Sequence, residues 1–421
     1  MTQPTSSSPL HPPQDGPKPL DPKLAKRKLT YRTARFLAWE RLARLSPWLA
    51  RRNNFPLGAL TLEEASGALL EQREPIDVAA ALGPVPEDLA RILRRIGVDP
   101  TLRATARILA LRAEDAVLMG HTGAVHQAGR MIAPPSLKNW PKSAKPAGLK
   151  TLRPEPGRLS IALATAPAGA KHFFHGFMDR FCPLILMLER LFPEAGLNPG
   201  DADVWVNSRR APFHDAFHRF AEARWPGLRF RHLEKDERLA APEILMPLLE
   251  QDPVPRSWAP APFYAVMSDF AEAVAGPPLA RPGRRDRKIF IDRSDAAKRV
   301  LLNADEISAL LARRGYEVLT PGRMPYAAQV RAFSEASHIV ATHGAALMNL
   351  IAAPAHARVL EMFVAETWAD DFPNATASYI LLCRARGLDH RAWTCAEAAD
   401  RRFSHRIDPD ALEAQLDALE A

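Results

Sequence analysis

The stretch HIVATHGAALMNLIAAPAHARVLE, residues 338–361, spells a buried strand ending in Thr342-His343-Gly344-Ala345-Ala346, then a helix, then a second strand closing on Glu361. That order puts a helix N-terminus, with its unsatisfied N–H groups and positive dipole end, at the carboxyl edge of a parallel strand. Phosphates bind at such edges in α/β folds. Glycine at 344 would let a ligand approach the backbone, and the small Ala345 and Ala346 would leave the first turn uncovered. Asn349 falls inside the helix, where Asn is mildly unfavourable, which points to a specific hydrogen bond or to plain packing.

Upstream, residues 288–315 read KIFIDRSDAAKRVLLNADEISALLARRG. An apolar strand, Lys288 to Ile291, runs into Arg293, Lys298 and Arg299, and Asn303 with Glu306 predicts a capping box at the start of the next helix. Between residues 284 and 299 there are seven Lys/Arg against three Asp. A solvated face would account for this excess. Its place just beyond a strand end instead suits phosphate, which Arg grips with a bidentate fork and Lys meets as a mobile point charge.

These motifs, together with AQVRAFSEA (residues 328–336) and VLEMF (359–363), resemble glycosyltransferase family 61, its bacterial branch, in order and spacing. KHFFHGFMDRFCP, residues 171–183, is similar to the family's N-terminal pattern, so the resemblance covers roughly residues 105–415. The chain departs from that pattern at His172, Gly176, Thr342 and Ala346. The resemblance implies a transferase that attacks the anomeric carbon of a sugar nucleotide, a UDP-sugar being the expected donor, with inversion and with a glycan acceptor. It also implies two Rossmann-like doubly wound domains, the GT-B architecture, with the ligand cleft between them.

Within that expectation His175 and Asp179 are the base candidates. They are four residues apart on a predicted helix 172–192, so they would share a face, and either could take the acceptor proton. The alternative is a capping or packing role. Arg293, Lys298, Arg299, His343, Gly344, Ala345 and Asn349 would hold the nucleotide sugar. Glu361 either accepts hydrogen bonds from ribose hydroxyls or is a surface carboxylate near Arg358. Asp201-Ala202-Asp203 matches a DxD metal motif but precedes its strand instead of following it, so these acids read as turn and cap residues. With cations available for the diphosphate, no metal and no other cofactor is expected. A noncatalytic nucleotide-sugar or glycan binder is the rival reading. A dehydrogenase finds no support, because no GxGxxG follows a strand.

The chain of 421 residues, 47% hydrophobic and 25% charged, has the composition of a globular protein with more than one core. Its three cysteines show no zinc spacing and no disulfide framework. His121 and His126 are five apart across a Thr122-Gly123 turn, which argues against a metal pair there. No apolar run is long enough to cross a bilayer and no signal-peptide core is evident, so a cytoplasmic location is expected.

The net charge of +8 lies wholly in residues 1–52. Residues 1–22 read as a disordered Pro/Ser-rich arm, and 23–115 as a helical extension. Residues 23–52 form a basic amphipathic segment suited to an anionic membrane surface, or equally to the protein's own body. No nucleic-acid motif accompanies it. The expected α/β domains are 116–275, on the acceptor side, and 286–421, for the nucleotide sugar, joined by the linker 276–285, GPPLARPGRR.

Overall fold

A computed structural model describes residues 59–77, 87, 90, 103–132, 149–163, 176–207, 211–252, 259–276, 287–296, 299–364, 378–396, 399 and 403–421. The expected arm and amphipathic segment, His172, His175, Lys298 and nearly all of the linker lie outside the described residues. The described residues belong to one compact unit, and a single apolar cluster runs from Ile161 and Val204 to Ile289 and Ile339, through the cores of both sheets.

The first sheet contains β1 (Ala59–Leu60), β2 (Gly67–Asp77), β3 (Arg103–Met119), β4 (Val125–Gln127), β5 (Arg130–Ile132), β6 (Lys150–Leu152), β7 (Leu159–Ala162), β8 (Ala202–Val206), β9 (Arg229–His232) and β10 (Glu237–Asp252). Its order is β1-β5-β4-β3-β10-β7-β8-β9, with β2 also on β3 and β6 also on β10. Strands β10, β7, β8 and β9 run parallel, whereas β2, β4 and β10 are all antiparallel to β3. The sheet is therefore mixed, not doubly wound throughout. Residues 59–60, 67–77 and 103–115, expected to belong to a helical extension, are strands. Ala, Leu, Arg and Glu dominate 103–114 and favour helix locally, but pairing with β2 and β10 overrides that preference. Arg107 on β3 joins the three strands, donating to Glu71 at 3.0 Å and Glu250 at 2.7 Å.

Residues 177–194 follow one helical path: a π turn Phe177–Phe181, α1 (Cys182–Leu186), a second π turn Met187–Leu191, and a last α turn Phe192–Glu194. Each π turn closes on a residue preceding proline, Cys182 before Pro183 and Phe192 before Pro193, through N–H bonds five residues back. Proline clashes with the carbonyl four residues earlier and offers no N–H, and a widened turn relieves both. Two further helices, α2 (Pro212–Arg224) and α3 (Ala261–Ala275), pack alongside, with Phe181 stacked on Phe217 at 3.8 Å. Gly176 has a packing reason: a Cβ there would lie 2.6 Å from the Phe213 ring.

The second sheet is wholly parallel and built from β11 (Arg287–Ile291), β12 (Tyr316–Leu319), β13 (Ala336–Thr342), β14 (Arg358–Val364) and β15 (Asp389–Ala396). Its order, β12-β11-β13-β14-β15, is doubly wound and reverses between β11 and β13. The crevice beyond the carboxyl ends of those two strands is where such sheets bind ligands. Helices α4 (Ala304–Arg313), α5 (Tyr326–Ser334), α6 (Ser378–Arg386) and α7 (Pro409–Glu420) accompany it. The expected capping box is absent. Asn303 makes no cap bond; its amide instead clamps Ile407, donating to the carbonyl at 2.9 Å and accepting from the N–H at 3.1 Å.

Candidate active site

Strand β11 ends on Ile291 and runs straight into Asp292, which is 8% exposed. Its carboxylate accepts from the Ser294 N–H at 3.1 Å, from Thr320 Oγ1 at 3.1 Å and from the Ser294 hydroxyl. This turn fixes the residue between them, Arg293, at the switch point. Strand β13 ends one strand over on Thr342, so His343 and Gly344 face the same crevice edge.

The Gly344 backbone is extended, with φ of 177°, so the missing side chain matters for space and not for conformation. A Cβ built there would sit 1.5 Å from Arg293 Nη1 and 2.7 Å from its Cζ. The sequence suggested that Gly344 lets a ligand approach; the group that approaches is the Arg293 guanidinium. Arg299 lies in the same neighbourhood, with a left-handed φ of 58°. Both arginines are half-buried. Burial, then repulsion from Arg299, lowers Arg293 to about 10, and burial likewise lowers Arg299. Two desolvated cations that repel each other at a switch point are an arrangement whose repulsion a multivalent anion would relieve.

Behind them lies a buried relay. Glu361, on β14 and fully buried, accepts from His343 Nδ1 at 2.5 Å and from His390 Nε2 at 2.8 Å. Burial raises the carboxyl's pKa, but the two histidine bonds outweigh it and hold Glu361 below the ordinary carboxylate value. An ionised carboxylate only accepts, so both ring nitrogens must donate. Burial, aided by Arg299 and Arg293, lowers His343 despite the opposing pull of Glu361. His343 is thus neutral near pH 7, with its proton on Nδ1 and Nε2 as the ring's acceptor. The Glu361 expectation needs correction: both its oxygens are spent on histidines, so it orients His343 instead of meeting ribose. Arg358 points elsewhere, donating to the Leu419 carbonyl at 2.8 Å.

Two other expectations change. The segment after Gly344 is a 3-10 helix, Ala345–Ala352, eight residues long, with Ala345 exposed at its start. Asn349 is buried and turns toward α5, donating to Gln329 Oε1 at 3.4 Å; Gln329 in turn donates to the Pro321 carbonyl at 2.7 Å. That bond ties the Asn349 amide to α5.

His390, Tyr379 and His405 were not evident from the sequence. Tyr379 is fully buried, its ring 5.1 Å from His343. His405 is fully buried and its backbone bonds Val300 and Leu302, next to Arg299; both arginines help hold its pKa below the ordinary value, after burial. One signal was available: Glu361 sits within VLEMFV, a run apolar on both faces, and a carboxylate there must be paired.

Of the base candidates, Asp179 is exposed on the first π turn, and its neighbour Arg180 is buried and reaches Asn207 Oδ1 at 3.4 Å. Asp203, one half of the DxD, is 1% exposed and takes Arg229 Nε at 2.7 Å and Arg158 Nη2 at 2.8 Å. It sits inside β8 and not, as the sequence suggested, in the turn before it, and it is the centre of an ion-pair cluster.

Residues 173–360 match the family model for Glycosyltransferase 61. The chain therefore carries a glycosyltransferase family 61 domain, and the protein is a glycosyltransferase. No curated protein matches the chain. No helix among the described residues is long and apolar enough to cross a membrane.

Proposed function

We propose that this glycosyltransferase moves a hexosyl or pentosyl group from a nucleotide sugar, a UDP-sugar in the simplest case, to a hydroxyl of a glycan acceptor in polysaccharide assembly. Transfer inverts the anomeric carbon and needs no metal ion at the diphosphate. The acceptor oxygen bonds to that carbon as the bond to the diphosphate oxygen breaks, the electron pair leaves with the diphosphate, and the hydroxyl proton passes to His175 or Asp179. Arg293, Arg299 and Lys298 meet the charge growing on the leaving group, as a divalent ion would otherwise do. Neutral His343 offers Nε2 to a sugar or ribose hydroxyl. In this GT-B reading the second sheet binds the donor and the first sheet faces the acceptor. The enzyme works in the cytoplasm, with residues 23–52 resting on an anionic membrane face.

The observation that supports this most is the desolvated Arg293–Arg299 pair at the reversal of a doubly wound sheet. Calorimetric titration of a nucleoside diphosphate in EDTA tests it. Wild type should bind, and Arg293→Ala and Arg299→Ala should each lose about 1.5–3 kcal/mol, the usual worth of a charge-assisted hydrogen bond. Unchanged affinity in both variants would refute the assignment, and binding that requires a divalent ion would refute the metal-free donor site.

A further inference from the structure

Away from the second sheet, three side chains that the transfer mechanism does not use converge at the carboxyl edge of the first. Asp215 and His218 are three residues apart on α2 and share a face, and His232 is the last residue of β9. One ligand atom from each, the two imidazole nitrogens and a carboxylate oxygen, lies within 4.8 Å of the others. The His218 ring is stacked on Phe230, centroids 4.0 Å apart and planes 14° from parallel, which fixes its plane. His218 is buried while Asp215 and His232 are half-buried, so the cluster has a rigid floor and a side open to solvent.

We propose that Asp215, His218 and His232 form a binding site for a divalent transition-metal ion, zinc being the commonest with such donors. The donor set is the first argument. Two imidazoles and one carboxylate suit zinc and its first-row neighbours, whereas calcium and magnesium take oxygen alone. Size is the second. Metal–ligand bonds of about 2.0–2.2 Å in a tetrahedron set the ligand atoms about 3.3–3.6 Å apart. Small side-chain rotations would close the present spacing to that value. Three protein ligands leave a fourth position for water or a hydroxyl. The ion would bind the first turns of α2 to β9, on the half of the protein assigned to the acceptor, and takes no part in holding the diphosphate. The proposal does not depend on the transferase reading, because it is tested without a donor.

The experiment is zinc competition against a chromophoric chelator, using the full chain stripped of metal. Wild type should bind one equivalent and gain thermal stability on binding, since an ion that binds only the folded state stabilises it. His232→Ala and Asp215→Asn should weaken binding at least about 100-fold, beyond the 10- to 100-fold expected from disturbing only the ligands' supporting partners. The conservative His232→Gln serves if the alanine variant misfolds. Cobalt(II) in wild type should give visible d–d bands without thiolate charge transfer, which separates this site from Cys395. Absence of a stoichiometric site in wild type, a thiolate-type cobalt spectrum, or unchanged affinity in folded variants would each overturn the proposal.

Discussion

Replacing Gly344 with alanine isolates the contact on which the proposed donor binding turns. The added Cβ would stand 1.5 Å from Arg293 Nη1, against the roughly 3.5–4.0 Å of an ordinary contact, so the guanidinium must move about 2 Å. A displacement of that size breaks a charge-assisted bond of about 2.8 Å, a loss of about 1.5–3 kcal/mol, or roughly 10- to 150-fold in affinity. Stability should hardly change. The backbone at 344 is extended and accepts alanine, and the clashing atoms are the far end of a flexible side chain. The assay pairs calorimetry of a nucleoside diphosphate with a melting curve. Undiminished affinity would show that Arg293 does not hold the ligand. A collapse in melting temperature would show that Gly344 serves the fold and not the site.

The remaining predictions concern acid and the base. Burial lowers His126 to about 4 from an ordinary 6.5, so the folded state resists its protonation. The stability it contributes is complete above pH 6.5 and is lost as pH falls toward 4, about 3 kcal/mol in all, with Glu361 and His343 acting in the same direction. Urea midpoints should therefore drop across that window and drop less in His126→Gln; an identical slope would contradict the linkage. His175→Ala and Asp179→Asn should leave nucleotide affinity nearly intact while turnover falls roughly 100-fold or more for whichever residue is the base. Parallel losses of affinity and fold would mark a structural pair.

How much of this was legible in the sequence depended on how local the cause was. Much of the second sheet could be read because β13 and β14 are largely apolar runs, but its switch point depends on strand order and could not. Strand β3 could not be read: RATARILALRAED carries helix-forming residues, and only pairing with β2 and β10, the latter more than a hundred residues away, makes it a strand. The relay was half legible. A glutamate inside VLEMFV demands a partner, but nothing local points to His390, 29 residues on. The helix expected over 172–192 contains Pro183 and ends beside Pro193, and the structure absorbs each proline with a π turn.

The central claim is sugar transfer from a nucleotide donor, and a turnover measurement over a panel of nucleotide sugars, with and without glycan acceptors, tests it most directly. The account predicts acceptor-stimulated release of free nucleoside diphosphate from one donor class in excess EDTA, with the sugar recovered on the acceptor in inverted configuration. Tight nucleotide-sugar binding with no release or transfer from any donor and acceptor tested would contradict it and leave a binding protein built on a transferase fold.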